Sequence, residues 1–123
     1  MRYSVFVPVP LRLEAIFFRT GGGGEPVREW LKSLQKEEGR AIGEDIAYVQ
    51  FKWPIGEPRV SHVWGAVWEV RCSLGNRIAR TLFAVKARQM LLLHGFIKKT
   101  QQTPNDDIEL AEKRFKEWQR GET

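Results

Sequence analysis

The chain holds a single cysteine, Cys72, so it can form no disulfide within itself. A disulfide-stapled scaffold is excluded, and a reducing cytoplasm is the expected setting. Histidine is almost as scarce. His62 and His94 are the only two, and neither has a partner at metal-ligand spacing. A zinc site is therefore not expected. The acids are scattered along helical stretches, whereas a two-metal nuclease needs several carboxylates that converge. No metal and no cofactor are expected. The Gly21–Gly24 run lacks the Gly-Lys-Ser/Thr ending of a phosphate-cradling loop and reads as a flexible turn. A nucleophile elbow and a dinucleotide fingerprint are also missing. No apolar run approaches the ~18 residues that suggest a membrane span. Met1–Pro10 is apolar but holds Pro8 and Pro10, and no secretory signal is read there.

What is present suits a globular domain. The 123 residues are 42% hydrophobic and 28% charged, which is ordinary for a folded protein and argues against disorder. One domain over residues 1–123 is expected, with residues 1–10 as an N-terminal extension. The formal net charge is +5. A basic balance favours polyanions, because each Lys or Arg near a phosphate releases counterions.

Periodicity gives the element order. Leu11–Arg19 reads as a strand, with Leu11, Leu13 and Ala15 on one face. Glu25-Pro26 opens a helix, with Val27, Trp30, Leu31 and Leu34 at helical spacing. A break at Glu38-Gly39 precedes a second helix to about Trp53, whose stripe is Ile42, Ile46, Val49 and Trp53. From Val60 the period becomes two. Val67–Leu74 and Arg77–Val85 form a hairpin about Gly75-Asn76, and the apolar run Met90–Ile97 reads as a central strand. Asp106–Arg120 is a last helix, with Ile108, Ala111, Phe115 and Trp118 on one stripe. The expected fold is α+β, a small antiparallel sheet in the order β-α-α-β-β-β-α with the helices packed on one face.

Alternation places the basic residues. Trp68, Val70 and Cys72 face the helices, so Glu69, Arg71 and Ser73 take the other side. Arg77, Ala79, Thr81 and Phe83 alternate with Ile78, Arg80, Leu82 and Ala84, so neither face of that strand is purely polar and an arginine sits partly buried. Lys98 and Lys99 end the last strand. One sheet end thus gathers Arg71, Arg77 or Arg80, and Lys98 or Lys99. Such a cluster can grip a phosphate and stabilise charge that develops during its transfer. A solvated basic face is the simpler reading of spacing alone, with Arg71 and its like serving as cross-strand partners for acids such as Glu69. His94 reads as a core histidine. Four of the five tryptophans fall on apolar stripes, and Trp64 is the exception.

Four segments carry a family resemblance. They are Pro26-Val27-Arg28-Glu29-Trp30-Leu31, Trp68-Glu69-Val70-Arg71, Arg77-Ile78-Ala79-Arg80 and the run from His94 to Gln101. In that order they resemble the phage-derived Gp49-like family, which includes HigB-type toxins of the RelE/ParE superfamily. The similarity spans about Leu11 to Arg120, and His94–Pro104 (HGFIKKTQQTP) is its most specific part.

The resemblance implies a RelE-like fold and the toxin of a type II toxin–antitoxin system. Such a toxin enters the 30S A site of the ribosome and cuts mRNA there without metal. The RNA 2′-hydroxyl attacks the adjacent phosphate. A helix-turn-helix, HigA-like antitoxin would block the site. By the same resemblance Arg80 grips the scissile phosphate, and Lys98 or Lys99 stabilises charge or protonates the leaving oxygen. Arg71 adds a phosphate contact, with Arg77 and Lys99 also on the RNA. Glu57, in Gly56-Glu57-Pro58, matches a loop acid that is the general base in some relatives; a solvated loop acid is the equal reading. No tyrosine or histidine follows Pro104, where the superfamily places a catalyst. Two other functions share the expected fold: a non-catalytic RNA- or protein-binding module, and a gyrase-directed ParE-like toxin.

Overall fold

The computed structural model describes residues 12–98 and 102–121. The readings made for Met1–Pro10 and for Lys99 lie outside the described residues.

The described chain runs β1 (Glu14–Phe17), α1 (Pro26–Ser33), α2 (Lys36–Lys52), β2 (Val60–Trp64), β3 (Val67–Leu74), β4 (Arg77–Lys86), β5 (Gln89–Lys98) and α3 (Asn105–Gln119). The fold is α+β, and the expected order holds with one strand added. Val60, where the period changes, begins that strand. It pairs antiparallel with β3 from Val60↔Val70 to Trp64↔Val67, with an irregularity between His62 and Trp64. Of the expected strand Leu11–Arg19, β1 covers Glu14–Phe17, and Leu11 lies outside the described residues.

Helix α1 starts at Pro26, whose fixed φ suits a first helical position. The Glu29 carboxylate accepts the Glu25 backbone N–H at 3.0 Å and so satisfies a terminal donor. The break between the helices lies at Leu34-Gln35, both extended, and not at Glu38-Gly39. Gly39 serves close packing instead. A Cβ there would meet the Leu31 carbonyl oxygen at 3.1 Å, so its absence lets α2 start against the end of α1.

The sheet order is β1-β5-β4-β3-β2. All neighbours are antiparallel except β1 and β5, which run parallel from Glu14↔Gln89 to Phe17↔Leu92. Helices cover both faces, which corrects the expectation of one helical face. On one side Val27, Ile42, Ile46 and Val49 of α1 and α2 pack with Val70, Cys72, Phe83, Met90 and Leu92. On the other, Ala111, Phe115 and Trp118 of α3 pack with Phe18, Val67, Leu82, Ala84, Leu91 and Leu93. The reason is the composition of β4 and β5. Phe83 and Leu82, like Leu92 and Leu91, are apolar on alternate sides, so both sides must be shielded from water.

A bulge changes the sense of β5 halfway. Leu82 pairs with His94 but Phe83 pairs with Leu92, leaving Leu93 as the extra residue. Before it, Met90 and Leu92 face α1 and α2. After it, Ile97 does. His94, Phe96 and Lys98 therefore share the α3 face, and Gly95 turns toward α1. The Trp30 ring lies against Gly95 so closely that any Cβ would overlap it. Arg114 of α3 holds the bulge, donating from Nη1 to the Leu93 carbonyl at 2.7 Å.

Candidate functional site

Register assembles the polar face. Arg71 is opposite Arg80, and Arg80 is opposite Phe96, so the three make one row across β3, β4 and β5. Ser73, Ile78 and Lys98 make the next row toward the open end of the sheet. On the other side stands a row of Ser61, Glu69, Leu82 and His94. Alternation puts all three rows on the face covered by α3.

A hydrogen-bonded chain links them. Arg80 donates from Nη1 to the Thr103 hydroxyl at 3.1 Å. Thr103 in turn donates to Oε1 of Glu69. The second Glu69 oxygen accepts from Arg71 Nε at 2.7 Å. Arg80 is 0% exposed and Glu69 1%, so an arginine and a carboxylate are both taken out of water. This chain compensates part of the cost of burying both. The Arg71 side chain, at 35% exposure, is where the chain reaches the surface. Lys98 is exposed beyond it. At the edge, Ser61 donates to Oε2 of Glu57 at 3.3 Å, which brings the loop acid against the same row as Glu69.

His94 is not a core histidine. Its Nε2 lies 2.6 Å from Oδ1 of Asp107 in the first turn of α3, and both side chains keep some exposure, 18% and 20%. The sequence reading missed this pair and also Thr103. Nothing local joins His94 to Asp107; only the path of the chain into α3 does.

The expected cluster is thus brought together in part. Arg71, Arg80 and Lys98 share one face, with Glu57 at its margin. Arg77 does not join them. Its guanidinium is ion-paired with Glu38 of α2, on the opposite side of the sheet. Arg80 is near the expected point, but beneath Thr103 rather than open to solvent. Lys99 lies outside the described residues. On the α2 side, Cys72 is buried, and burial together with the nearby Asp45 carboxylate pushes its thiol up to about 12. It has no nucleophilic character there. Among the described residues no group of three or more His, Cys, Asp or Glu side chains could hold a metal ion, and no helix is long and apolar enough to cross a membrane.

The arrangement is that of a small α+β domain whose sheet carries Arg71 and Lys98 on one face, with buried Arg80 linked through Thr103 to buried Glu69. The chain belongs to the family described as phage-derived protein Gp49-like, whose sequence pattern matches residues 29–116, more than two-thirds of the chain. The match takes in Arg71, Arg80, His94 and Lys98, and the family accords with a toxin of the RelE/HigB kind. No curated protein matches the chain.

Proposed function

We propose that this protein is the toxin of a type II toxin–antitoxin pair and an endoribonuclease that cuts mRNA on the ribosome. The observation that carries the reading is the row of Arg71 and Arg80 with Lys98 in the next row of the same face, in a chain of the Gp49-like family. Two cations at the surface can neutralise the non-bridging oxygens of one phosphate, and guanidinium does so in a planar, bidentate way. RNA brings its own nucleophile. The protein then needs to align the 2′-hydroxyl with the phosphorus and stabilise the extra negative charge of the transition state.

Arg71 and Lys98 make the first contacts in this proposal. Glu69 fixes the Arg71 guanidinium by its Nε, which leaves the two terminal nitrogens to the phosphate. Arg80 supplies positive potential from below and meets the phosphate itself only where Thr103 gives way. Placement of the substrate in the ribosomal A site would provide the alignment that so spare a site does not. The partners are the mRNA on the 30S subunit and a helix-turn-helix antitoxin that covers the basic face, and the setting is the cytoplasm.

The test is induced expression of wild type and of the Arg71→Ala/Lys98→Ala variant, followed by mapping of mRNA 5′ ends. Wild type should arrest growth and create new 5′-hydroxyl ends inside translated frames, and the folded variant should create none. Folded wild type that leaves mRNA intact refutes the nuclease. If it still binds ribosomes or RNA, the non-catalytic module takes its place. Relaxed or broken DNA without mRNA cleavage would point to gyrase.

A further inference from the structure

His94 and Asp107 are an ionisable pair on the same sheet face that the chemistry above leaves unused. His94 stands just after the β5 bulge, in the row beside Arg71–Arg80–Phe96. Same-face neighbours along a strand lie roughly 6.5–7 Å apart. A phosphate held between Arg71 and Lys98 lies over Arg80 and Phe96, in the row next to His94. The Phe96 ring fills the interval, 5.4 Å from the imidazole centre and tilted by 31°.

The hydrogen bond fixes the chemistry of the ring. An ionised carboxylate can only accept, so Nε2 carries the hydrogen and donates to Asp107. On the neutral imidazole Nδ1 is then the lone-pair acceptor. Asp107 holds the ring from the first turn of α3, a position where a negative group suits the helix dipole. The charges around the pair are Asp106, Asp107 and Arg114 on α3, Arg80 on β4, Glu69 and Arg71 on β3, and Lys98 on its own strand. Arg114 sits closest along the chain, bonded to the carbonyl of Leu93 next to His94.

We infer that His94, oriented by Asp107, is the proton acceptor for RNA cleavage at this face; the inference rests on the endoribonuclease reading. The RNA 2′-hydroxyl gives its proton to Nδ1 of His94 as its oxygen bonds to phosphorus. The P–O5′ bond breaks, and its electron pair stays on the 5′-oxygen. That oxygen takes a proton from the Lys98 ammonium, which regains one from water. A 2′,3′-cyclic phosphate and a 5′-hydroxyl result, and His94 returns its proton to water.

The experiment is single-turnover cleavage of an mRNA on purified ribosomes as a function of pH, with wild type, His94→Gln, Asp107→Asn and Glu57→Gln. A positioned base contributes about 10²–10⁴-fold. His94→Gln should slow the chemical step by about that much, leave the half-saturating protein concentration nearly unchanged, and abolish the rise of rate through the neutral range. Glu57→Gln tests the competing base and should leave the rise of rate through the neutral range in place. Should His94→Gln fail to fold, as judged by circular dichroism, Asp107→Asn carries the test, since it keeps a hydrogen-bond acceptor and loses only the charge. An unchanged pH profile in the folded variants, or loss of the rise in Glu57→Gln alone, overturns the inference while Arg71→Ala still marks the site. Wild type that cuts nothing overturns the endoribonuclease reading and this inference with it.

Discussion

Arg71 and Arg80 are direct cross-strand partners in the register of β3 and β4. Like charges so placed repel one another. The Glu69 carboxylate relieves the repulsion by bonding Arg71 with one oxygen and, through Thr103, Arg80 with the other. One arginine is held at the surface and the other beneath it, with the single carboxylate serving both.

The two ends of that chain should differ in what they contribute to stability. Glu69→Ala removes a buried carboxylate that accepts from both Arg71 and Thr103, and loss of buried hydrogen-bond partners of this kind costs about 1–3 kcal/mol. Arg71→Ala removes a partner with 35% of its side chain in solvent and should cost about 1 kcal/mol or less. Urea titration of both variants measures the difference. Equal midpoints would show that the buried pair is not organised around Glu69.

Gly95 and Trp30 should be energetically coupled, because a Cβ on Gly95 overlaps the indole. Gly95→Ala in the wild-type background forces a shift in packing worth about 1–3 kcal/mol. In a Trp30→Ala background, itself destabilised, the same change should cost almost nothing. A double-mutant cycle by thermal unfolding gives the coupling, and additive effects would refute the contact.

The β4–β5 turn carries strain that can be relieved. Ala87 and Arg88 have φ of 51° and 68°, a left-handed pair that L side chains adopt at a cost of roughly 1–2 kcal/mol per residue. Asn-Gly is the favoured pair at such a turn. The Ala87→Asn/Arg88→Gly variant should gain about 1 kcal/mol and melt several degrees higher. A fall in melting temperature would mean that the Arg88 side chain contributes more than its backbone costs.

Cys72 should be silent toward thiol reagents. Its thiol is raised to about 12 by burial, with the Asp45 carboxylate adding to the effect, so at pH 8 almost no thiolate exists to react. Titration with an aromatic disulfide reagent should be complete only in denaturant. Rapid reaction of the native protein would contradict the packing of Cys72 against α2.

The helices and most strands were legible because their stripes are strong. Val27, Trp30 and Leu31 in α1, and Ile42, Ile46 and Val49 in α2, all join the first core as their spacing required. Phe115 and Trp118 join the second. The side on which α3 would lie was not legible, because β4 and β5 are apolar both ways and their alternation names no solvent face. Strand β2 is half legible: the period changes at Val60, but five residues ending in an exposed tryptophan give little signal. The site divides in the same way. Counting residues in twos places Arg71 and leaves Arg77 or Arg80, and Lys98 or Lys99, open; the family resemblance singles out Arg80. Arg77 does not belong with them: it alternates with Arg80 along β4 and so falls to the α2 side, where Glu38 holds it. His94 was misread because the bulge at Leu93 breaks the count one residue before it.

The position of β5 in the sheet has a consequence for how the molecule comes into being. Among the described residues this strand is synthesised after every other strand, yet it lies between β1 and β4 and is the only neighbour β1 has. Strand β1 must therefore wait, unpaired, while nearly the whole chain is translated, and closing so long a loop is a late and slow event in folding. Phe96, His94 and Lys98 arrive on the same strand. A nascent chain stalled before Gln89 would lack a closed sheet and the Lys98 end of the basic face, so neither is complete until the end of synthesis is near.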